Sequence, residues 1–283
     1  MQTFKAFEWV IVDDGSIDNT KELVSQWQEE SWFPIRYFYQ SNQGKHIAYN
    51  RGVAEARGEL FQPLDSDDSC FPDALMKLYQ HWMAIPPAQR QHFFAVTGLC
   101  VDQYGKLVGN KFPKDVFDSD SLEILYKFKV KGDKWGFQRT DLLRKFPFPD
   151  LLGEKFIPEG VVWHAIAREY KTRFINQPLL TCWLGSIDQL TYKGNPARFA
   201  RGLAYGHLGV LNKELDYFKY APWFFIKTAV HFSRFSFHAG ENLGQQANLV
   251  NQHAFWLWLV TVPVGLGVYL YDKRKYSTRR GTR

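Results

Sequence analysis

The stretch FEWVIVDDGSIDNT, residues 7–20, limits the possible folds more than any other part of the chain. Phe7, Trp9, Val10, Ile11 and Val12 form a nearly unbroken apolar, β-branched and aromatic run, the pattern of a strand covered on both faces in a parallel sheet. Asp13, Asp14, Gly15, Ser16 and Asp18 then break it as turn formers. Asn19 or Thr20 is placed to cap a following helix, whose apolar positions Leu23, Val24 and Trp27 recur at helical spacing. Strand, polar loop and helix in this order predict an open α/β sheet. Ligands bind such sheets outside the carboxyl ends of the strands, so two consecutive carboxylates there are candidate site residues. A solvated Asp-Gly turn is the competing reading.

A second stretch repeats the arrangement. In GELFQPLDSDDSCFPDAL, residues 58–75, Leu60, Phe61, Pro63 and Leu64 lead to Asp65, Asp67 and Asp68, with Pro72 and Asp73 starting the next helix. Two strands therefore deliver carboxylates to one edge of the sheet. Asp-x-Asp at a strand end suits Mg²⁺ or Mn²⁺, which prefer hard oxygen ligands and are often held by one or two carboxylates plus substrate phosphates.

With both loops in hand, VIVDDGSIDNT followed by NQGKHIAYNRGVAEARGELFQPLDSDD resembles the nucleotide-sugar half of family 2 glycosyltransferases of the GT-A fold. Residues 133–180, DKWGFQRTDLLRKFPFPDLLGEKFIPEGVVWHAIAREYKTRFINQPLL, resemble the acceptor half of bacterial members that build surface polysaccharides and glycolipids. The resemblance covers roughly residues 1–195 in order. It implies a Rossmann-like mixed α/β sheet flanked by helices. It also implies a metal-dependent, inverting glycosyltransferase that moves a sugar from a nucleotide-sugar donor to a saccharide or polyprenyl-linked acceptor.

Site residues follow from the same resemblance. Asp14 matches the acid that hydrogen-bonds the nucleobase, with Asp13 beside it, and Lys45 matches a basic residue near the nucleotide. Asn50, Arg51 and Gly52 match the start of the helix segment that carries the chain back to the sheet. Asp65 matches the acid near the ribose and metal, and Asp67 the acid that ligates Mn²⁺ or Mg²⁺ on the diphosphate. A solvated helix-start lysine is the plainer reading of Lys45. Attack by the acceptor hydroxyl also needs a base. The family places this carboxylate at a helix start, where this chain offers Glu159 ahead of Val162, Trp163, Ile166 and Ala167. Many members carry Glu-Asp here, with the Asp taken as base, whereas this chain has Glu159-Gly160. Either Glu159 serves in a shifted geometry or the base lies elsewhere, with Glu154 next in line; His164 reads as a helix-surface or partly packed histidine.

Other chemistries fail on residues. Gly44-Lys45 is no P-loop, since Tyr39 stands where the earlier glycine belongs and His46 follows the lysine. No Gly-x-Gly-x-x-Gly follows a strand. The segment DSDDS is similar to the nucleophile loop of aspartyl-phosphate phosphatases but lacks their later paired Asp. Cys70, Cys100 and Cys182 are odd in number and widely spaced, which fits a reduced cytosolic setting better than a disulfide scaffold.

Beyond residue 216 the chain turns strongly aromatic. Residues 254–271 are 18 consecutive uncharged positions, about 27 Å as helix, close to a bilayer core. After them, Lys273, Arg274, Lys275, Arg279, Arg280 and Arg283 stand against one Asp and carry +5 of the chain's net +6. The basic balance thus predicts attraction to anionic lipid and no nucleic-acid partner. The expected organisation is a GT-A domain over 1–200, amphipathic interfacial helices over 201–253, an apolar membrane segment over 254–271 and a polybasic tail over 272–283. A buried apolar helix of a globular domain is the alternative for 254–271.

Nucleotide sugars and the positive-inside rule both favour the cytoplasmic face of the cell membrane, which one full span cannot satisfy for catalytic domain and tail together. The expected solution is monotopic attachment. Residues 218–237, with Lys219, Lys227, His231 and Arg234, would lie in the interface, and Pro263, Gly265 and Gly267 would allow a re-entrant bend. Family members also begin with a strand that has no counterpart before QTFKAF. The resemblance therefore predicts an N-terminally truncated domain with two unpaired interior edges, flanking the place between the strand at 7–12 and the one leading to Asp65. A non-catalytic fragment or membrane-bound subunit is the corresponding alternative function.

Overall fold

The computed structural model describes residues 2–185 and 195–277. The chain forms two compact units, Met1–Phe148 with Val162–Ile187, and Pro149–Val161 with Asp188–Arg283.

The first unit is the α/β part. Its elements in chain order are β1 (Trp9–Asp14), α1 (Thr20–Glu30), β2 (Ile35–Gln40), α2 (Lys45–Glu55), β3 (Leu60–Phe61), β4 (Ser69–Cys70), α3 (Ala74–Met83), α4 (Pro87–Arg90), β5 (Phe93–Asp102), β6 (Val116–Ser119), α5 (Ser121–Tyr126), β7 (Lys134–Arg139), α6 (Thr140–Lys145), α7 (Gly160–Ala167) and β8 (Lys171–Cys182). The dividing line between the units falls within α7. Strands β3, β7, β5, β8 and β4 form a mixed sheet in that order, with β6 paired to β8. The long β8 runs parallel to β5 and antiparallel to both β6 and β4. β5, with the apolar sequence FFAVTGLCVD, is buried on both faces. Val96 of β5, Ile175 and Leu179 of β8, Leu78 of α3 and Ile85 after it are fully buried in one core cluster, each contributing roughly 1.5–3 kcal/mol relative to exposure.

β1 and β2 pair in parallel as a separate two-stranded sheet. Among the described residues β1 and β3 each have a single strand neighbour. This changes the expectation for β1. Val10, Ile11 and Val12 are only half-buried and Trp9 is 36% exposed, because a strand with one neighbour lacks the cover that a central strand receives on both sides. Trp9 stacks instead on Trp27 of α1, with ring centroids 5.5 Å apart. Neither Asn19 nor Thr20 caps α1 with its side chain; Asp18 takes the place, accepting from the Thr20 amide at 3.1 Å. Asn50, Arg51 and Gly52 sit in the interior of α2 and not at its start. Helix formation begins earlier, at Lys45, because Gly44 at φ 99° turns the chain there.

The second unit is helical, with α8 (Ala200–Lys213), α9 (Pro222–His238), α10 (Leu243–Leu249) and α11 (Gln252–Ser277). Its core gathers Leu211, Ala229, Phe232, Ala254 and Trp258. Two expectations change here. α9 buries Phe225, Phe232 and Phe235 as a core helix of this unit, so its aromatic residues mostly face protein. α11 is one continuous helix with Pro263 inside it, and no re-entrant bend forms. Gly265 serves close packing, since a Cβ there would meet Ser233 Cβ at 2.7 Å and the Val230 carbonyl at 2.8 Å. Arg279, Arg280 and Arg283 of the tail lie outside the described residues.

Candidate active site

The two acidic loops are built in different ways. Asp13, at the end of β1, is buried, and its Oδ1 accepts from the Ser16 amide at 2.7 Å while the Tyr37 hydroxyl donates to Oδ2 at 2.5 Å. Burial works to raise its carboxyl pKa, but the hydrogen bonds from Tyr37, Ser16 and Gly15 outweigh it and hold Asp13 below the usual range. The same pairing, after burial, pushes the Tyr37 phenol up to about 12. Asp13 is thus an ionised brace that joins β1, its turn and β2.

Asp14 shapes the next loop. Its Oδ1 accepts from Gln40 Nε2 at 2.8 Å and the Gln43 amide at 2.9 Å, and its Oδ2 from the Gly44 amide at 2.7 Å. Gln40 is its register partner on β2. Glycine is required where the two loops approach: Gly15, in the turn after β1, has φ 90°, and a Cβ on it would lie 2.8 Å from the Asn42 amide nitrogen of the loop after β2. A carboxylate offers about four acceptor positions, so with three donors in place Asp14 keeps room for one donor from a ligand.

The loop held by Asp14 delivers Lys45 to the second acidic loop, where its Nζ meets Asp65 Oδ2 at 2.7 Å. Both side chains are near half-exposed, so the pair contributes little stability, about 0–1 kcal/mol. Its importance is geometric, because it ties the loop before α2, which Asp14 holds, to the second acidic loop, and Asp14 and Asp65 follow strands of separate sheets. The chain leading to Asp65 is fixed on β7 by Trp135 Nε1 donating to the Pro63 carbonyl at 2.7 Å and Gln62 Nε2 to the Gly136 carbonyl at 2.8 Å.

Asp65, Asp67 and Asp68 each place a carboxylate oxygen within 4.8 Å of the others. Asp68 was outside the Asp-x-Asp pair expected to ligate a metal. Burial raises its pKa first; the amide of Trp183 at 3.2 Å opposes this, and the charges of Asp67 and Asp65 add to the rise. Asp67 holds no hydrogen bond or ion pair among the described residues. Three converging carboxylates without a histidine or thiolate fit a hard divalent cation such as Mg²⁺ or Mn²⁺, which would relieve their repulsion.

The two candidate bases separate clearly. Glu159 is exposed and directly precedes α7 in the second unit. Glu154 is 7% exposed; its Oε1 accepts from the Lys155 and Phe156 amides at 3.0 and 3.2 Å, and its Oε2 from the Gly202 amide at 2.9 Å. It is a staple between the 149–161 segment and α8, which sequence spacing alone did not reveal. Glu154→Ala should therefore destabilise the protein by about 1–3 kcal/mol by orphaning buried amides, as read from urea denaturation. Native stability with abolished transfer would return Glu154 to the catalytic candidates.

Known proteins resemble this chain in sequence and in fold. Residues 1–139 match the family described as Glycosyl transferase family 2. Glycosyltransferase GlyG of Streptococcus pneumoniae is 35% identical over 194 residues, 63% of this chain and 61% of that protein. GalNAc(5)-diNAcBac-PP-undecaprenol beta-1,3-glucosyltransferase of Campylobacter jejuni is 27% identical over 221 residues, 76% of this chain and 67% of that protein. Across the curated relatives matched, the shared stretch spans between 12% and 67% of their own length. Among solved structures, S. aureus TarS 1–349 in complex with UDP-GlcNAc superposes with a TM-score of 0.55 at 17% identity, covering 96% of this chain and 74% of that one; the likeness is one of fold.

Proposed function

We propose, because residues 1–139 match glycosyltransferase family 2 and the fold is similar to that of S. aureus TarS, that this chain transfers a glycosyl unit from a nucleoside-diphosphate sugar to a hydroxyl of a saccharide or lipid-linked acceptor. The observation that supports this most is the ion pair of Asp65 with Lys45, whose loop Asp14 holds, beside the Asp67 and Asp68 carboxylates.

In this reading Asp14 accepts a donor hydrogen from the nucleobase with its remaining capacity, and Lys45 turns towards the phosphates. Asp65 and Asp67, with Asp68 in the same cluster, would hold Mn²⁺ or Mg²⁺. The ion would supply charge neutralisation for the diphosphate leaving group. Glu159 takes the proton of the acceptor hydroxyl as its oxygen bonds to the anomeric carbon. The carbon–oxygen bond to the diphosphate breaks, and the nucleoside diphosphate leaves with the electron pair. A single displacement inverts the anomeric configuration. The named undecaprenol-linked substrate of the Campylobacter relative and the apolar α11 favour a lipid-linked acceptor at the cytoplasmic membrane face. Donor binding without turnover is the second reading, favoured by Gly160 in the place where the family often carries an acid.

Calorimetric titration of a nucleotide-sugar panel, with and without Mn²⁺, tests the assignment. One nucleotide sugar should bind with an affinity that depends on the metal. Absence of binding across the panel in both conditions would overturn the proposal. Binding with no transfer to any lipid-linked saccharide would favour the second reading.

A further inference from the structure

α9 and α11 pack in parallel. Gly265 lies against Ser233 and Val230, Tyr269 packs against Phe237 with ring centroids 5.5 Å apart, and Asp272 meets His238 at 3.1 Å, so contacts advance in the same direction along both helices, while the long Arg234 side chain reaches Asp272 at 2.6 Å. The Asp272 carboxylate is 4% exposed and receives both Arg234 Nε and Nη2, so a buried charge cluster locks the C-terminal ends together.

Parallel packing has a topological consequence. The chain leaves α9 at one end and must enter α11 at the other, so residues 239–251 travel back along the pair. That connector carries α10, whose Asn242 and Gln245 form a capping box. Asn242, Gln245 and Asn248 are exposed on it. It ends where Asn251 bonds Asn212 at the end of α8. If α9 and α11 crossed a bilayer, these amides would cross with them and face hydrocarbon, where unpaired polar groups are strongly disfavoured.

The outer face of α11 is nevertheless apolar along its whole length. Trp256, Val260, Val264 and Leu270 are 70%, 74%, 56% and 55% exposed, at positions that share one helical face. Trp256 and Tyr271 mark its two ends, and Lys273, Arg274 and Lys275 follow on the last turns. An apolar strip with aromatic ends and a cationic terminus is complementary to an anionic phospholipid surface.

We infer that α11 lies in the plane of an anionic bilayer, with the strip from Trp256 to Tyr271 in the acyl boundary and the face that carries Asp272 turned inward on α9, and that it does not cross. The inference rests on the membrane attachment proposed above and is independent of whether the enzyme turns over.

The test uses the full chain. It should float with phosphatidylglycerol-containing vesicles and stay bound in high salt, while Val260→Asp with Val264→Asp, both at exposed positions, should lower the bound fraction at least tenfold. The variant's thermal melt and nucleotide-sugar binding should match the parent. Bimane placed singly on Trp256→Cys, Val264→Cys and Tyr271→Cys should be quenched by brominated lipids to one common depth. Quenching deepest at 264 and shallow at 256 and 271 would mean a crossing helix and overturn the inference. So would failure to float, an unaffected double variant, or a vesicle-independent dimer that the double variant dissolves, which would assign the strip to a second copy. Loss of nucleotide-sugar binding in a chain that still floats would count against the glycosyltransferase reading alone.

Discussion

Asp67→Ala should abolish the metal-dependent part of nucleotide-sugar binding. Of the three clustered acids, Asp65 is engaged with Lys45 and Asp68 with the Trp183 amide, which leaves Asp67 as the carboxylate with nothing to release before it binds a cation. Loss of an outer-shell partner of a metal ligand typically costs 10–100-fold in affinity, so loss of a ligand itself should cost about 100-fold or more. Asp67 is exposed, and its replacement should leave the thermal melt unchanged. The sign reverses when Mn²⁺ is chelated. Without metal, removing one negative charge from the cluster should leave binding of the anionic donor equal or slightly stronger. Calorimetric titration in Mn²⁺ and in EDTA reads both effects. Equal Mn²⁺-dependent affinities in parent and variant would remove Asp67 from the metal site, with Asp68 as its natural replacement.

Glu159→Gln should lower turnover by about 10²-fold or more while leaving donor affinity nearly intact. The amide keeps the size and polarity of the side chain but cannot take a proton, and proton removal matters only as the acceptor attacks. Glu159 is exposed directly before α7, whereas Glu154 is buried and its oxygens already hold three backbone amides. Single-turnover rates at saturating donor provide the check, since the variant should be slow in the transfer step itself while donor binding stays at the parental level. A variant with parental rates would show that another group accepts the proton.

Much of the molecule can be read locally. The run from Trp9 to Val12, its two acids and the glycine after them specify a strand, a turn and a helix, and these form as expected. The same holds for the acidic loop at 65–68 and for the helix that follows Glu159. Side-chain periodicity and turn chemistry act over a few residues, so sequence order states them directly. The uninterrupted apolar character of residues 254–271 likewise gives a helix, although α11 starts at Gln252 and continues through the charged segment to Ser277.

Partnerships across the chain are another matter. Nothing near Asp68 announces that the Trp183 amide, 115 residues away, will hold its carboxylate. Nothing near Glu154 tells that Gly202 will claim it, 48 residues on. Gln40 becomes a partner of Asp14 only because β2 pairs with β1 in one register. The half-buried state of β1 and the direction of α9 relative to α11 were decided in the same way, by which elements lie beside which. The sequence by itself determined the elements, the acidic loops and their chemistry, because local propensity and hydrophobic period are properties of neighbouring residues. Only the tertiary structure decided which carboxylates brace the fold and which stay available, because a hydrogen bond is spent by whichever donor packing brings within about 3 Å, and packing is settled by burial over the whole chain.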